Sequence, residues 1–119
     1  MEDKANKLSD RFLEFASGIV KLTMNLETTF IGRHVVGQLF RSGTSAGANY
    51  EEACGAQSRA DFIHKLQIVL KELRESSFWL RLTMKSQLTN DKIAQVLHDE
   101  VKQLIKIIAK SLITAKKKK

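Results

Sequence analysis

A chain of 119 residues, 43% of them hydrophobic, has material for one hydrophobic core and not for two. Its single cysteine, Cys54, excludes an intramolecular disulfide and leaves no second thiolate to share a metal. No apolar run approaches the roughly 20 residues of a membrane span. The formal charge of +7 is uneven: residues 1–28 sum to −1, 29–57 to 0, 58–87 to +3 and 88–119 to +5.

Proline is absent, which suits long uninterrupted helices with short connections. The acidic opening Glu2-Asp3 lacks the basic-then-apolar layout of a signal peptide, so the expected location is the cytoplasm. The first predicted helix covers about residues 6–27. Its apolar residues Leu8, Phe12, Phe15, Ile19, Leu22 and Leu26 recur at spacings of 4, 3, 4, 3 and 4, a narrow stripe along one face. Asn6 or Ser9 could cap its start, and Glu27, Thr28 and Thr29 weaken its end.

The second predicted helix covers about residues 31–54. Its seam is Val36, Leu39 or Phe40, Gly43, Ala46 or Gly47, Tyr50, and Ala53 or Cys54. A glycine inside a helix costs about 0.5–1 kcal/mol relative to alanine, which is tolerable where another backbone must come close. Gly55 is placed to end this helix in a left-handed conformation.

Ser58 followed three residues later by Asp61 is a capping pattern, and it opens a third helix over about residues 59–87. The stripe there is Phe62, Leu66, Val69, Leu73, Ser76, Leu80 and Met84. Asn90-Asp91 caps a fourth helix over about residues 91–114, with the stripe Ile93, Leu97, Val101, Leu104, Ile108 and Leu112. Residues 116–119, all lysine, form a basic tail expected to be disordered beyond a bundle of residues 1–115. Four such helices joined by short connections predict an all-α, antiparallel up-and-down four-helix bundle.

Catalytic patterns are hard to find. His34, His64 and His98 fall on three different predicted helices, with none of the His-Glu-x-x-His or Glu-x-x-His spacings of zinc and di-iron helices. Glu51 and Glu52 are adjacent, so their side chains diverge. Gly43 and Gly47 lie inside a helix and lack the lysine of a phosphate-binding loop. No catalytic residue, metal ligand or cofactor site is expected, and the chain is taken as a binding protein rather than an enzyme.

Two features could bind something. Arg41, Gly43, Ser45, Gly47, Asn49 and Glu52 make an unusually polar, small-residue stretch of the second helix. It could be close packing with a polar network between helices or subunits, or Arg41, Ser45, Asn49 and Glu52 could line a ligand or partner site. Lys71, Arg74, Arg81 and Lys85 share one face of the third helix, and Lys102, Lys106 and Lys110 stripe the fourth. The stripes could merge into a phosphate-tracking patch, or they could be a solvated surface neutralised by Glu72, Glu75, Asp99 and Glu100.

Residues 38–53 (QLFRSGTSAGANYEEA), 58–75 (SRADFIHKLQIVLKELRE) and 78–82 (FWLRL) resemble the four-helix bundle proteins named for 23S rRNA intervening sequences. The likeness runs from about Phe12 to Leu112. The chain departs from the family pattern, an acidic residue and glycine ending the second helix, in having Glu52-Ala53-Cys54-Gly55, which moves the expected turn later. The resemblance implies a bacterial bundle that assembles as a homopentamer. It also implies kinship with the accessory variability proteins of diversity-generating retroelements, basic pentamers that engage a reverse transcriptase and nucleic acid. The partners it implies are further copies of the chain, RNA or DNA, and a reverse transcriptase or other protein; the lack of a long apolar run leaves no membrane among the expected partners. Phe40, Phe78, Trp79 and Ile107, apolar yet off the main seams, fit side-by-side packing of subunits.

Overall fold

The computed structural model describes residues 2–26 and 29–118, apart from the side chains of residues 2, 3 and 5. It is all-α, with four helices and no strand among the described residues: α1 (Glu2–Met24), α2 (Phe30–Cys54), α3 (Arg59–Lys85) and α4 (Ile93–Lys117). At about 1.5 Å of rise per residue each helix spans most of the long axis of a body measuring 50 × 23 × 19 Å. Each helix packs on two others, α1 on α2 and α4, and α3 on α2 and α4; α2 and α3 share the most contact and α1 and α4 the least.

Residue numbers rise along one helix as they fall along its neighbour. Between α1 and α2, Ser9 hydrogen-bonds Glu51, Phe12 sits over Gly47 and Ile19 over Gly43. Between α2 and α3, Glu52 meets Lys65 at 2.8 Å, the hydroxyl oxygens of Ser42 and Ser76 are 2.9 Å apart, and His34 meets Trp79. Between α3 and α4, Ser77 faces His98, and Arg59 donates to the carbonyl of Lys118. Between α4 and α1, Arg11 pairs with Glu100 at 2.7 Å and Gly18 lies against Leu97.

The stripes of α1 and α4 are buried as their spacing demands. Phe12, Phe15, Ile19 and Leu22 meet Leu97, Val101, Leu104, Ile108 and Leu112 in one core, joined by Leu66, Val69, Leu73 and Leu80 of α3. Leu8, Phe62, Met84 and Ile93 pack against its edge, half-buried.

The second helix departs from its expected seam. Val35 rather than Val36 is fully buried, Phe40 and Cys54 are exposed, and Ser42 replaces a hydrophobic residue on the inner face. The reason is the Ser42–Ser76 pair: a buried hydroxyl that keeps a hydrogen bond avoids the roughly 1–3 kcal/mol of an unmet one, so the small polar edge of α2 can turn inward. Tyr50 stacks on Phe12, ring centroids 4.9 Å apart, and closes the core near the end of α2.

Three helix ends also differ from expectation. α1 begins at Glu2, four residues before the expected start, so Asn6 and Ser9 lie inside it, and the Ser9 hydroxyl serves α2 instead of a cap. Glu27 and Thr28, part of its expected end, lie outside the described residues. Gly55 is not left-handed: its φ is −99°, and α2 closes through the tight bonds Gly55 N–H to Glu52 O and Ala56 N–H to Ala53 O, both 3.1 Å. The left-handed residue is instead Gln87, φ 56°, in the turn after α3. α4 continues through Lys116 and Lys117, where positive charge complements the negative end of the helix dipole; Lys119 lies outside the described residues.

Side chains cap the other starts. Thr29 Oγ1 accepts the Gly32 N–H at 3.0 Å and Ser58 Oγ accepts the Asp61 N–H at 3.1 Å. Asp91, not Asn90, serves α4, its Oδ1 accepting the Ile93 N–H at 3.0 Å.

Candidate nucleic-acid interface

α3 sends its side chains in three directions. Its apolar stripe enters the core. A second set faces α2: Arg41 lies 3.2 Å from both carboxylate oxygens of Glu72 and also hydrogen-bonds Glu75, and Lys65 pairs with Glu52. The Arg41 guanidinium is the main reason that the Glu75 carboxyl is held below its ordinary range. The third set faces α4, where the Ser77 hydroxyl is 3.3 Å from Nε2 of His98.

That Ser77–His98 contact marks where the two basic stripes meet. Burial is the largest influence holding the His98 imidazole below its ordinary value, and the charges of Lys102 on α4 and Arg81 on α3 act in the same direction. Lys71, Arg74, Arg81, Lys85, Lys102, Lys106 and Lys110 are all exposed. Among the described residues the only ion pair any of them makes is a loose one, Lys102 with Asp99 at 3.9 Å.

The acids interspersed with these bases point elsewhere. Glu72 and Glu75 turn to Arg41, and Glu100 turns to Arg11 on α1. Asp99, the loose partner of Lys102, also accepts from the Gln95 amide at 2.9 Å. Neighbours in sequence are about 100° apart around a helix, so Lys71 and Glu72 can serve opposite sides. Hydrogen bonds to these carboxylates are the largest influence raising the pKa of Arg11 and of Arg41.

The polar stretch of α2 splits in two. Arg41, Ser45, Asn49 and Glu52 lie toward α3, and Gly43 and Gly47 toward α1. A Cβ on Gly43 would stand 2.8 Å from Ile19 Cγ1, and one on Gly47 3.3 Å from Phe12 Cβ, so both glycines admit α1 closely within the chain. The Asn49 amide donates to the Ser45 carbonyl of its own helix at 2.9 Å, while Arg41 and Glu52 are held by α3. The six residues do not converge on a common point.

Sequence reasoning passed over Gly18, where a Cβ would meet Leu97 Cδ2 at 2.6 Å. It also passed over Ser77 and His98 at the centre of the basic flank. The signal was there in the spacing: each stands four residues before a base, Arg81 and Lys102. Between α1 and α4 an open groove of about 530 Å³ is lined by Phe15, Gly18, Lys21, Val96, Leu97 and Glu100, among others. Among the described residues no three His, Cys, Asp or Glu side chains gather where they could hold a metal, and no helix is long and apolar enough to cross a membrane.

The model of the 23S rRNA-intervening sequence protein family matches residues 4–110. The chain belongs to this family. A crystal structure of a protein with unknown function from the S23 ribosomal protein family of Bacteroides thetaiotaomicron VPI-5482 agrees: it is 37% identical, with a TM-score of 0.79, over 87% of this chain and 96% of that one. No curated protein matches the chain. The span shared with the 23S rRNA-intervening sequence family holds both basic stripes, Lys110 being its last residue.

Proposed function

We propose that the chain is a non-enzymatic, antiparallel up-and-down bundle that assembles as a homopentamer in the bacterial cytoplasm and binds RNA or DNA through its α3–α4 flank. The observation that carries the binding reading is the sorting of acids. Glu72, Glu75 and Glu100 pair with Arg41 and Arg11 on the adjoining helices, leaving seven exposed bases whose only ion pair among the described residues is the loose one of Lys102 with Asp99. A surface of this kind tracks phosphates and is largely indifferent to sequence. The rising and falling contacts along every helix pair support the antiparallel arrangement. Family membership supports the assembly, and five copies at +7 would sum to about +35, a strong field for polyanions.

The test is retention of labelled RNA and DNA as salt is raised from about 50 to 200 mM. Contacts with six or more phosphates weaken affinity by about a thousandfold over that range. No retention at the lowest salt would remove the reading.

A second reading is favoured by the large apolar side chains left in water, above all Phe30 at 81% and Met24 at 78% exposure. Here the bundle is a scaffold that docks a protein such as a reverse transcriptase and touches no nucleic acid itself. Charge reversal along α4 separates the two, since it spares protein docking and abolishes nucleic-acid binding.

A further inference from the structure

Phe78 stands in the middle of the α3 basic stripe with half of its surface, 50%, in water. Arg74 lies four residues before it and Arg81 three after, so the ring and both guanidinium groups issue from one side of the helix. Lys71 and Lys85 continue that side in either direction. The ring is not free to wander. It meets the indole of Trp79 almost perpendicularly, centroids 5.1 Å apart at 79°, and Trp79 in turn meets His34 of α2 edge-on at 5.9 Å. A braced aromatic ring between two arginines exceeds what phosphate tracking needs.

We propose that Phe78, flanked by Arg74 and Arg81, is a stacking platform that makes this flank select single-stranded RNA or DNA over duplex. The inference rests on the nucleic-acid reading of the flank and deepens it. Phosphates are offered by single strands and duplexes alike, and more densely by duplexes, so the lysines and arginines give no preference for a single strand. Base faces differ. In a single strand they are open to an aromatic ring and to guanidinium planes, whereas in a duplex they are covered by the neighbouring pairs and must first be unstacked. Stacking of one base changes affinity by about 5- to 150-fold and tolerates any sequence. The ring itself carries no charge, so its contribution does not depend on salt as that of the bases does.

The test measures anisotropy of labelled strands of about 20 nucleotides, long enough for one site, against the duplex of the same sequence, with the full chain and its Phe78→Leu variant. The full chain is expected to bind the single strand at least about fivefold more tightly than the duplex. Phe78→Leu keeps an apolar side chain of similar bulk, so the fold survives, but most of that preference is lost while duplex affinity and the salt slope stay unchanged. Trp79, the one tryptophan of the chain, reports independently: its emission changes on titration with the single strand and not with the duplex. Binding of both forms with no effect of Phe78→Leu overturns the platform and leaves the nucleic-acid reading standing. Binding of neither form by the full chain removes both. A fall in assembly mass by light scattering for Phe78→Leu assigns the ring to a subunit contact and overturns the platform as well.

Discussion

α3 has two flanks of opposite character, and they use much the same kinds of residue. Toward α2, the charges pair across the seam: Arg41 reaches Glu72 and Glu75, Lys65 reaches Glu52, and Ser76 meets Ser42 in the core. Toward α4, Arg81 and Lys102 face each other's helix across Ser77 and His98, and they repel where the other flank attracts. The first flank joins α2 to α3 through paired charges, and the second leaves its bases facing solvent. A local excess of bases therefore says less than the direction in which the neighbouring acids are spent.

The contrast can be broken most decisively by binding. Reversing Lys102, Lys106 and Lys110 to glutamate should lower affinity for RNA or DNA by more than about a hundredfold at low salt, because three phosphate contacts become repulsions. Arg41→Gln should leave affinity and salt slope unchanged in the same assay. Equal losses for the two variants would erase the distinction between the flanks.

Stability should show the reverse ranking. Arg41→Ala strands Glu72, whose side chain is only 10% exposed, and should cost about 2 kcal/mol by denaturant titration at pH 7. Arg81→Ala should stay within about 0.5 kcal/mol. The Arg41 effect has a defined pH dependence. The Glu75 carboxyl is held low by the guanidinium, so its contribution is complete above the ordinary carboxylate range and fades as pH falls through and below about 4. The gap between the native chain and Arg41→Ala should therefore narrow in acid.

The serines sharpen the comparison at a smaller scale. Ser42→Ala removes the hydroxyl pair, leaving Ser76 only the Glu72 carbonyl of its own helix, and should cost about 1 kcal/mol, with the double variant costing less than the sum of the two singles. Ser77→Ala, on the half-exposed flank, should cost a few tenths at most.

The smallest effect is that of His98. Burial and two neighbouring cations lower its pKa, so between that value and the ordinary one near 6.5 the unfolded chain binds more protons than the folded. Stability should thus decline slightly as pH drops below about 6.5, and His98→Gln should abolish that slope. A polyanion bound to the flank should raise the His98 pKa, which proton NMR of the ring would read directly.

How much of this was legible in the sequence varies by helix. α1 and α4 bury residues such as Phe15, Ile19, Leu104 and Ile108, whose apolar bulk at helical spacing leaves no doubt about the inward face. α2 buries Ser42, Gly43 and Ala46, and hydropathy ranks such small side chains too weakly to fix a rotation. The choice between Val35 and Val36 was made by partners on α3 that no spacing reveals. The seven bases could be placed on their faces by counting. The acids beside them could not, because Glu72 and Glu75 are claimed by Arg41, thirty-odd residues away in the chain. Gly55 misled for a related reason: glycine permits a left-handed turn without requiring one, and carbonyls bonded three residues back removed the need.

The paired hydroxyls of Ser42 and Ser76 act as a mechanical detent. Sliding α2 along α3 by one turn, about 5.4 Å, would part the two hydroxyls and leave each only a carbonyl of its own helix, Leu39 for Ser42 and Glu72 for Ser76, so the pair favours one alignment of the two helices. Compliance is left to the opposite seam, where α1 and α4 touch least and a groove lies open. A strand bound as proposed would therefore pull, through the lysines of α4, on a helix whose seam with α1 is the least extensive of the four.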